Sequence, residues 1–298
     1  MKSSVDKYVE YHRLNAINWE IDTHLDAAVY FADKWSLDIE QRCWLAFLTA
    51  ICETTPTSIY LFRNFPDMLT TDARAFDSFT KANKSAMAFQ YDVRWILYSI
   101  YDVVRGYKRI IGNSSQIDKL RGLTGGGSAR ERWRNFIRNF TVTKFGTYTF
   151  MLYTELLHHL CDIRTDAILD PRTNHSVRSG LIHAGGYEDF MKCTTKHGAK
   201  PTEIETQLLN ATLGEIRDKI SALDIERRHK TTWAIETTLC TYNKTLHGRR
   251  YIGFYKERQR KEICRLNDYT QTVGEAFDWG EVWEYHNNWG NWGNSYNI

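Results

Sequence analysis

Apolar side chains recur along this chain at intervals of three and four positions, the spacing of helices with one buried face. A clean example is Phe89 to Lys108, FQYDVRWILYSIYDVVRGYK. Phe89, Val93, Ile96, Ile100, Val103 and Val104 form an apolar stripe, and Gln90, Arg94, Tyr101, Arg105 and Lys108 line up opposite. Asp92 falls on the margin of the stripe, beside Ile96, Ser99 and Val103, where a carboxylate has either a partner or a raised pKa. The segment is therefore either a core helix with a salt-bridged Asp or a helix offering a buried acid beside a basic strip.

The same period predicts helices at the N-terminus up to Asn18, over His24 to Lys34, and from Asp38, which can cap a helix together with Gln41. The stripe of that third helix is Ile39, Cys43, Ala46, Phe47, Ala50 and Ile51. Pro56 starts a further helix reaching Phe65, and a short one follows near Ala73 to Asn83. Gly106 or Gly112 ends the Phe89 helix. Ser128 and Glu131 make a second capping box opening Ala129 to Asn139. Phe145 to Asp162, Glu203 to Leu223 (stripe Ile204, Leu208, Thr212, Ile216, Ile220) and Thr232 to His247 complete the helical set. Arg164 to Pro201 carries Pro171, Gly180, Gly185, Gly186 and Gly198, and reads as a long irregular connection. The residues after Asp278 are rich in Trp, Asn and Gly and lack helical spacing. The expectation is an all-α, compact multi-helix domain over residues 1–267, with room for two lobes, and a C-terminal tail over 268–298.

Composition narrows this picture. A chain of 298 residues with 42% hydrophobic content can bury a sizeable core, and four prolines are few enough for long helices. The net charge is only +3, so any nucleic-acid contact must come from local patches. The six cysteines are scattered without a C-x-x-C pair, which argues for reduced core thiols rather than a zinc ribbon or redox motif. No apolar run is long enough to span a bilayer and no leader is visible, so the expectation is a cytoplasmic protein.

Five places carry candidate chemistry. The loop RGLTGGGSARERW feeds a helix N-terminus, where free N–H groups suit an anion; Gly126 and Ser128 are its candidate phosphate contacts. It is not a P-loop, because no Lys-Ser/Thr follows its last glycine. It faintly resembles the hairpin of helix-hairpin-helix DNA glycosylases, with Thr124 where a second hairpin glycine would stand. Glu155, His158 and Asp162 share one side of a helix and could form an acid–base cluster, or simply a solvated face. A second Glu-x-x-His is missing, so this is no di-iron site. Glu236, Cys240, Asn243 and His247 share a face of the Thr232 helix, with Lys244 and Trp233 beside it. Beyond it, GRRYIGFYKERQRKEICRLN interleaves Lys and Arg with aromatics, as suits a phosphate backbone and stacked bases, or a solvated basic helix. In the irregular connection, Asn174, His175, Arg178 and His183 are all able to contact a ligand.

EQRCWLAFLTAICETTPTSIYLFRNFPD (Glu40 to Asp67), FQYDVRW (Phe89 to Trp95) and WAIETTLCTYNK (Trp233 to Lys244), with RRYIGFYKERQ after it, together resemble one family, from about Tyr8 to about Asn267. They look like the phage amino-acid:DNA transferases, also called α-glutamyl/putrescinyl thymine pyrophosphorylases. The resemblance implies an all-helical fold distantly akin to helix-hairpin-helix DNA glycosylases. It implies a substrate of DNA in which 5-hydroxymethyluracil, a modified thymine, has been turned into a pyrophosphate ester by an upstream phage DNA-base kinase. An amino acid or polyamine then displaces pyrophosphate, in host cytoplasm if the chain is phage-encoded.

That chemistry needs Arg or Lys to offset the leaving group, a carboxylate or His to keep the amine neutral, and an aromatic for the flipped base. Asp92 or Glu236 is then the base or the amine-binding carboxylate, with Glu155 a further catalytic candidate. Arg94, Arg105, Lys108 and Lys244, with Arg249 or Arg250, would hold pyrophosphate and DNA phosphate. Mg²⁺ could accompany the pyrophosphate, although no dedicated metal motif is present. The alternatives are a glycosylase or lyase acting on a modified base, and a non-catalytic DNA-binding protein.

Overall fold

The computed structural model describes residues 3–21, 23–52, 54–88, 99–189, 191 and 200–274. Among them are thirteen α-helices and no strand. They are α1 (Ser4–Ile17), α2 (Thr23–Lys34), α3 (Ile39–Cys52), α4 (Thr55–Asn64), α5 (Ala73–Ala82), α6 (Ile100–Ile111), α7 (Gln116–Thr124), α8 (Ala129–Asn139), α9 (Thr147–Cys161), α10 (His175–Gly185), α11 (Glu203–Ser221), α12 (Thr232–Leu246) and α13 (Phe254–Val273). The all-α expectation holds. Asp92, Arg94 and Cys193, most of the Phe89 stretch and the residues after Gly274 lie outside the described residues.

The chain divides into two compact units. Among the described residues, one combines those up to Thr23 with Ile168–Lys256, and the other combines His24–Ala167 with those from Glu257 to Gly274. Helix α13 starts in the first unit and runs unbroken to Val273, across the boundary expected after residue 267.

In the second unit, α3 packs against α4, α7 and α9. It is buried nearly all round, from Cys43 to Cys52, rather than along one stripe, and Ile39 at its start is exposed. The core is aromatic. Phe47 stacks on Tyr107 with ring centroids 4.0 Å apart, and Phe136, Phe140, Phe145 and Tyr153 close around them. The hydroxyl of Tyr107 donates to Gln116 Oε1 at 2.8 Å and accepts from Tyr153, so neither buried hydroxyl is left unpaired.

The start of α4 is fastened by a closed set of hydrogen bonds. Thr54 Oγ1 lies 2.6 Å from Ala88 O and 2.8 Å from Glu262 Oε1, Ala88 N–H donates to Thr57 Oγ1 at 2.9 Å, and Thr57 Oγ1 meets the same carboxyl. The Thr54 hydroxyl has one proton, and the Ala88 carbonyl can only accept it. That proton is shared between Ala88 O and Glu262 Oε1, and the Thr57 hydroxyl donates to the same carboxyl oxygen. Burial pushes the Glu262 pKa from 4.5 up to about 7, against the Thr57 and Thr54 hydrogen bonds, which favour the carboxylate.

In the first unit, α1 packs on α10, α11 and α12, and α10 packs on both α11 and α12. Tyr8, Tyr11 and His12 of α1 reach α12 through Thr238, Thr241 and Thr245, with His12 Nε2 donating to His229 O at 2.8 Å. Glu20 accepts from the N–H groups of Tyr255 and Lys256 and so caps α13. On α11 the expected stripe is turned: Ile204 is 72% exposed and Leu208 is also exposed, while Thr206, Leu209, Leu213, Ile216 and Ile220 are buried.

The connection expected to be irregular between Arg164 and Pro201 contains α10, a correction with a clear cause. Gly180 stands mid-helix because a Cβ there would lie 2.3 Å from Leu239 O on α12. The glycine marks a close helix–helix approach, not a break.

Candidate functional site

Helix α10 begins at Asn174, whose Oδ1 accepts from Val177 N, and ends at Gly186, with φ 71. That left-handed cap turns the chain back, with Tyr187 N–H on Ile182 O at 2.9 Å and its hydroxyl on Thr212 at 2.8 Å. Glu188 is thereby returned to the face of α10. Helix α12, capped by Thr231, presents Glu236, Cys240, Asn243, Lys244 and His247 at intervals of three and four. The close packing permitted at Gly180 brings the two helices together.

Between them lies a cavity of 460 Å³, within the range of small-ligand sites. His175, Ser176, Ser179, Ile182 and His183 line it from α10, Glu188 from the turn, Cys240, Asn243, Lys244 and His247 from α12, and Arg249 from the chain just beyond.

His183 Nδ1 is 2.8 Å from Glu188 Oε1. With the exposed carboxylate as acceptor, His183 carries its proton on Nδ1 and keeps a lone pair on Nε2. His247 follows the same logic, since its Nδ1 lies 2.8 Å from the Asn243 carbonyl, which can only accept. The two rings are 5.5 Å apart and nearly perpendicular. Glu236 is 3% exposed and accepts from Cys240 Sγ at 2.9 Å and from Asn174 Nδ2 at 3.4 Å. Burial first, then the Glu236 carboxylate, hold the Cys240 pKa well above that of a free thiol. Cys240 is thus a hydrogen-bond donor, not a thiolate nucleophile.

Of the residues singled out by sequence, Lys244 and Arg249 line the cavity and Glu236 sits behind Cys240. The Arg250 guanidinium lies over the Phe254 ring at 4.0 Å. Glu155 belongs to α9 in the second unit and is 4% exposed, not on a solvated face. Lys108 donates to Leu69 O at 3.1 Å and to Thr71 O, pinning the loop between α4 and α5. Arg105 lies over the Tyr101 ring at 5.9 Å. Gly126 faces open space, and the Ser128 N–H and hydroxyl both donate to Glu131 Oε2 at 2.8 Å. The N-terminus of α8 is therefore already capped by its own acid. Ser176, Ser179 and Glu188 escape the sequence reading, although Ser176, Ser179 and His183 sit at i, i+3 and i+7 and carry a legible helical face.

Among the described residues, no group of three His, Cys, Asp or Glu side chains is arranged to hold a metal ion, and no helix is long and apolar enough to cross a membrane.

The family model for amino acid:DNA transferases matches residues 20–251, well over half the chain, including every residue that lines the cavity. No curated protein and no solved structure matches. With that match added to an all-helical fold and a cavity rich in cations and histidines, the chain belongs to the amino acid:DNA transferase family and is a transferase that places an amino acid on DNA.

Proposed function

We propose that the transferase joins an amine to the exocyclic carbon of pyrophosphorylated 5-hydroxymethyluracil in DNA, in the cavity between α10 and α12. The observation that carries this reading is the meeting, in one cavity, of Lys244 and Arg249 with a histidine oriented by a carboxylate. The leaving group carries several negative charges, which the ammonium and the guanidinium offset as the C–O bond breaks. The amine attacks as the free base, so its proton must go to an acceptor in the cavity. His183, with Nδ1 held by Glu188, offers Nε2 for that role.

In the step, the nitrogen lone pair forms a bond to the methylene carbon. The C–O electron pair departs with pyrophosphate, and the proton released from nitrogen passes through His183 to solvent. Glu236 sits behind the cavity wall, where it accepts from the wall residue Cys240 and from Asn174. The base must leave the duplex to present its exocyclic carbon. A magnesium ion accompanying the pyrophosphate would supply further positive charge against the leaving group, beside Lys244 and Arg249. A DNA-base kinase must act beforehand to install the pyrophosphate.

The test incubates the full chain with DNA containing pyrophosphorylated 5-hydroxymethyluracil and a panel of amino acids and polyamines, followed by nucleoside mass analysis. An amine adduct with an intact glycosidic bond, formed together with pyrophosphate, is the expected outcome. Release of free base would favour a glycosylase, and unchanged nucleoside masses with every amine would overturn the proposal.

A further inference from the structure

Two buried polar atoms on residues that line the cavity are unexplained by the packing. Ser179 Oγ and Asn243 Oδ1 are both buried and have no hydrogen-bond partner among the described residues. Ser179 as a whole is only 5% exposed, and both residues line the cavity, one from each helix. A buried hydroxyl and a buried amide oxygen left unpaired are costly, so such atoms in a cavity mark the position of a ligand's complementary groups.

The chemistry of that ligand follows from what the two atoms can do. Asn243 Oδ1 only accepts, and Ser179 Oγ can accept. A phosphate or carboxylate oxygen brings no N–H to either and would be repelled by the amide oxygen. An ammonium group brings three N–H donors. The carboxylate-oriented His183 lines the same cavity, its Nε2 lone pair available for the third proton. Lys244 and Arg249 supply the cationic part of the wall, where anionic groups are at home.

We infer that Ser179 and Asn243 form the subsite for the amino group of the donor amino acid, holding the nitrogen beside His183. This rests on the cavity being the transfer site, yet it can fail separately. The Ser179 and Asn243 contacts orient the nitrogen before it loses its proton. They therefore set the affinity for the amine, not for DNA.

The experiment titrates free amino acids and putrescine into the full chain without DNA by calorimetry. It then measures KM for the amine and for DNA in turnover, for wild type, Ser179→Ala, Asn243→Ala and Asn243→Asp. Wild type should bind at least one amino acid in the absence of DNA. Each alanine variant should weaken that binding roughly tenfold or more, the effect of one hydrogen bond to a charged group. KM for the amine should rise in parallel, with KM for DNA unchanged. Asn243→Asp keeps the acceptor and should retain amine binding, shifting preference towards diamines that lack a carboxylate.

Unchanged amine affinity in both alanine variants, or no amine binding by wild type, overturns the subsite. If Ser179→Ala fails to fold, the two Asn243 variants decide. Transfer to DNA with unaltered amine KM in the variants sinks the subsite and leaves the proposed reaction standing. Amine binding that responds to the variants, with no product on pyrophosphorylated DNA, supports the subsite and removes the proposed reaction.

Discussion

A single proton placement organises the candidate site. The Glu188 carboxylate fixes the His183 tautomer, so the two residues are expected to act as a unit. His183→Gln should lower kcat by about a hundredfold or more, the usual contribution of a positioned base. Glu188→Gln should lower kcat less, because the ring remains while its orienting charge is gone. Wild-type kcat in both variants would reject the pair. Glu236→Gln tests a different role, since its carboxylate accepts from Asn174 and from Cys240 of the cavity wall. Slower transfer at a preserved urea midpoint is expected, and wild-type rates would remove Glu236 from the mechanism.

Among elements, the approach of α10 to α12 is the feature on which the cavity depends. Gly180→Ala would drive a methyl group into the Leu239 carbonyl. Overpacking of this kind costs about 1–3 kcal/mol, and the two walls of the cavity must part to relieve it. The variant should show a lower urea midpoint together with weakened amine binding; a stable protein with intact binding would show that the close approach is not required. The same contact explains what could be read without coordinates. Periodicity placed Glu236, Cys240, Asn243 and His247 on one face of α12, and capping chemistry placed the starts of α3 and α8, because these are local rules of spacing and hydrogen bonding. Helix α10 was hidden because a glycine demanded by a neighbouring backbone looks, in one dimension, like a glycine that ends a helix. His175 and His183 were legible as residue types, but Ser179 and Glu188 acquire meaning only from what stands opposite them. Ile204 and Leu208 were misassigned to the packing face for a related reason: α11 buries the face that its neighbours α1 and α10 cover, and the apolar spacing of its first turns does not follow it.

At the scale of the whole molecule, buried titratable groups set opposing responses to pH. Burial lowers His12 to about 4, His24 to about 3 and His229 to about 4, from an ordinary 6.5. Their stabilising contribution is complete above 6.5 and is lost as pH falls through these folded values. Burial raises Glu20 and Glu262 from 4.5 to about 7, so their contribution is complete below 4.5 and is lost as pH rises through 7. Between 4.5 and 6.5 the three imidazoles outweigh the two acids by one proton, and stability should rise by about 1.4 kcal/mol per pH unit. Above that window only the acids titrate, so urea midpoints should peak near pH 6.5. Glu262→Gln should blunt the alkaline decline and, at pH 8, be more stable than wild type by on the order of 3 kcal/mol; a less stable variant at that pH would contradict the raised Glu262 pKa. The acid of α13 thus acts as a latch on the Ala88 amide. Deuterium uptake at Ala88 should be slow in mildly acidic buffer. In alkaline buffer the buried Glu262 carboxyl is charged, which destabilises the packing that holds the Thr57 hydroxyl against the Ala88 N–H, and uptake should accelerate more than at neighbouring helical amides.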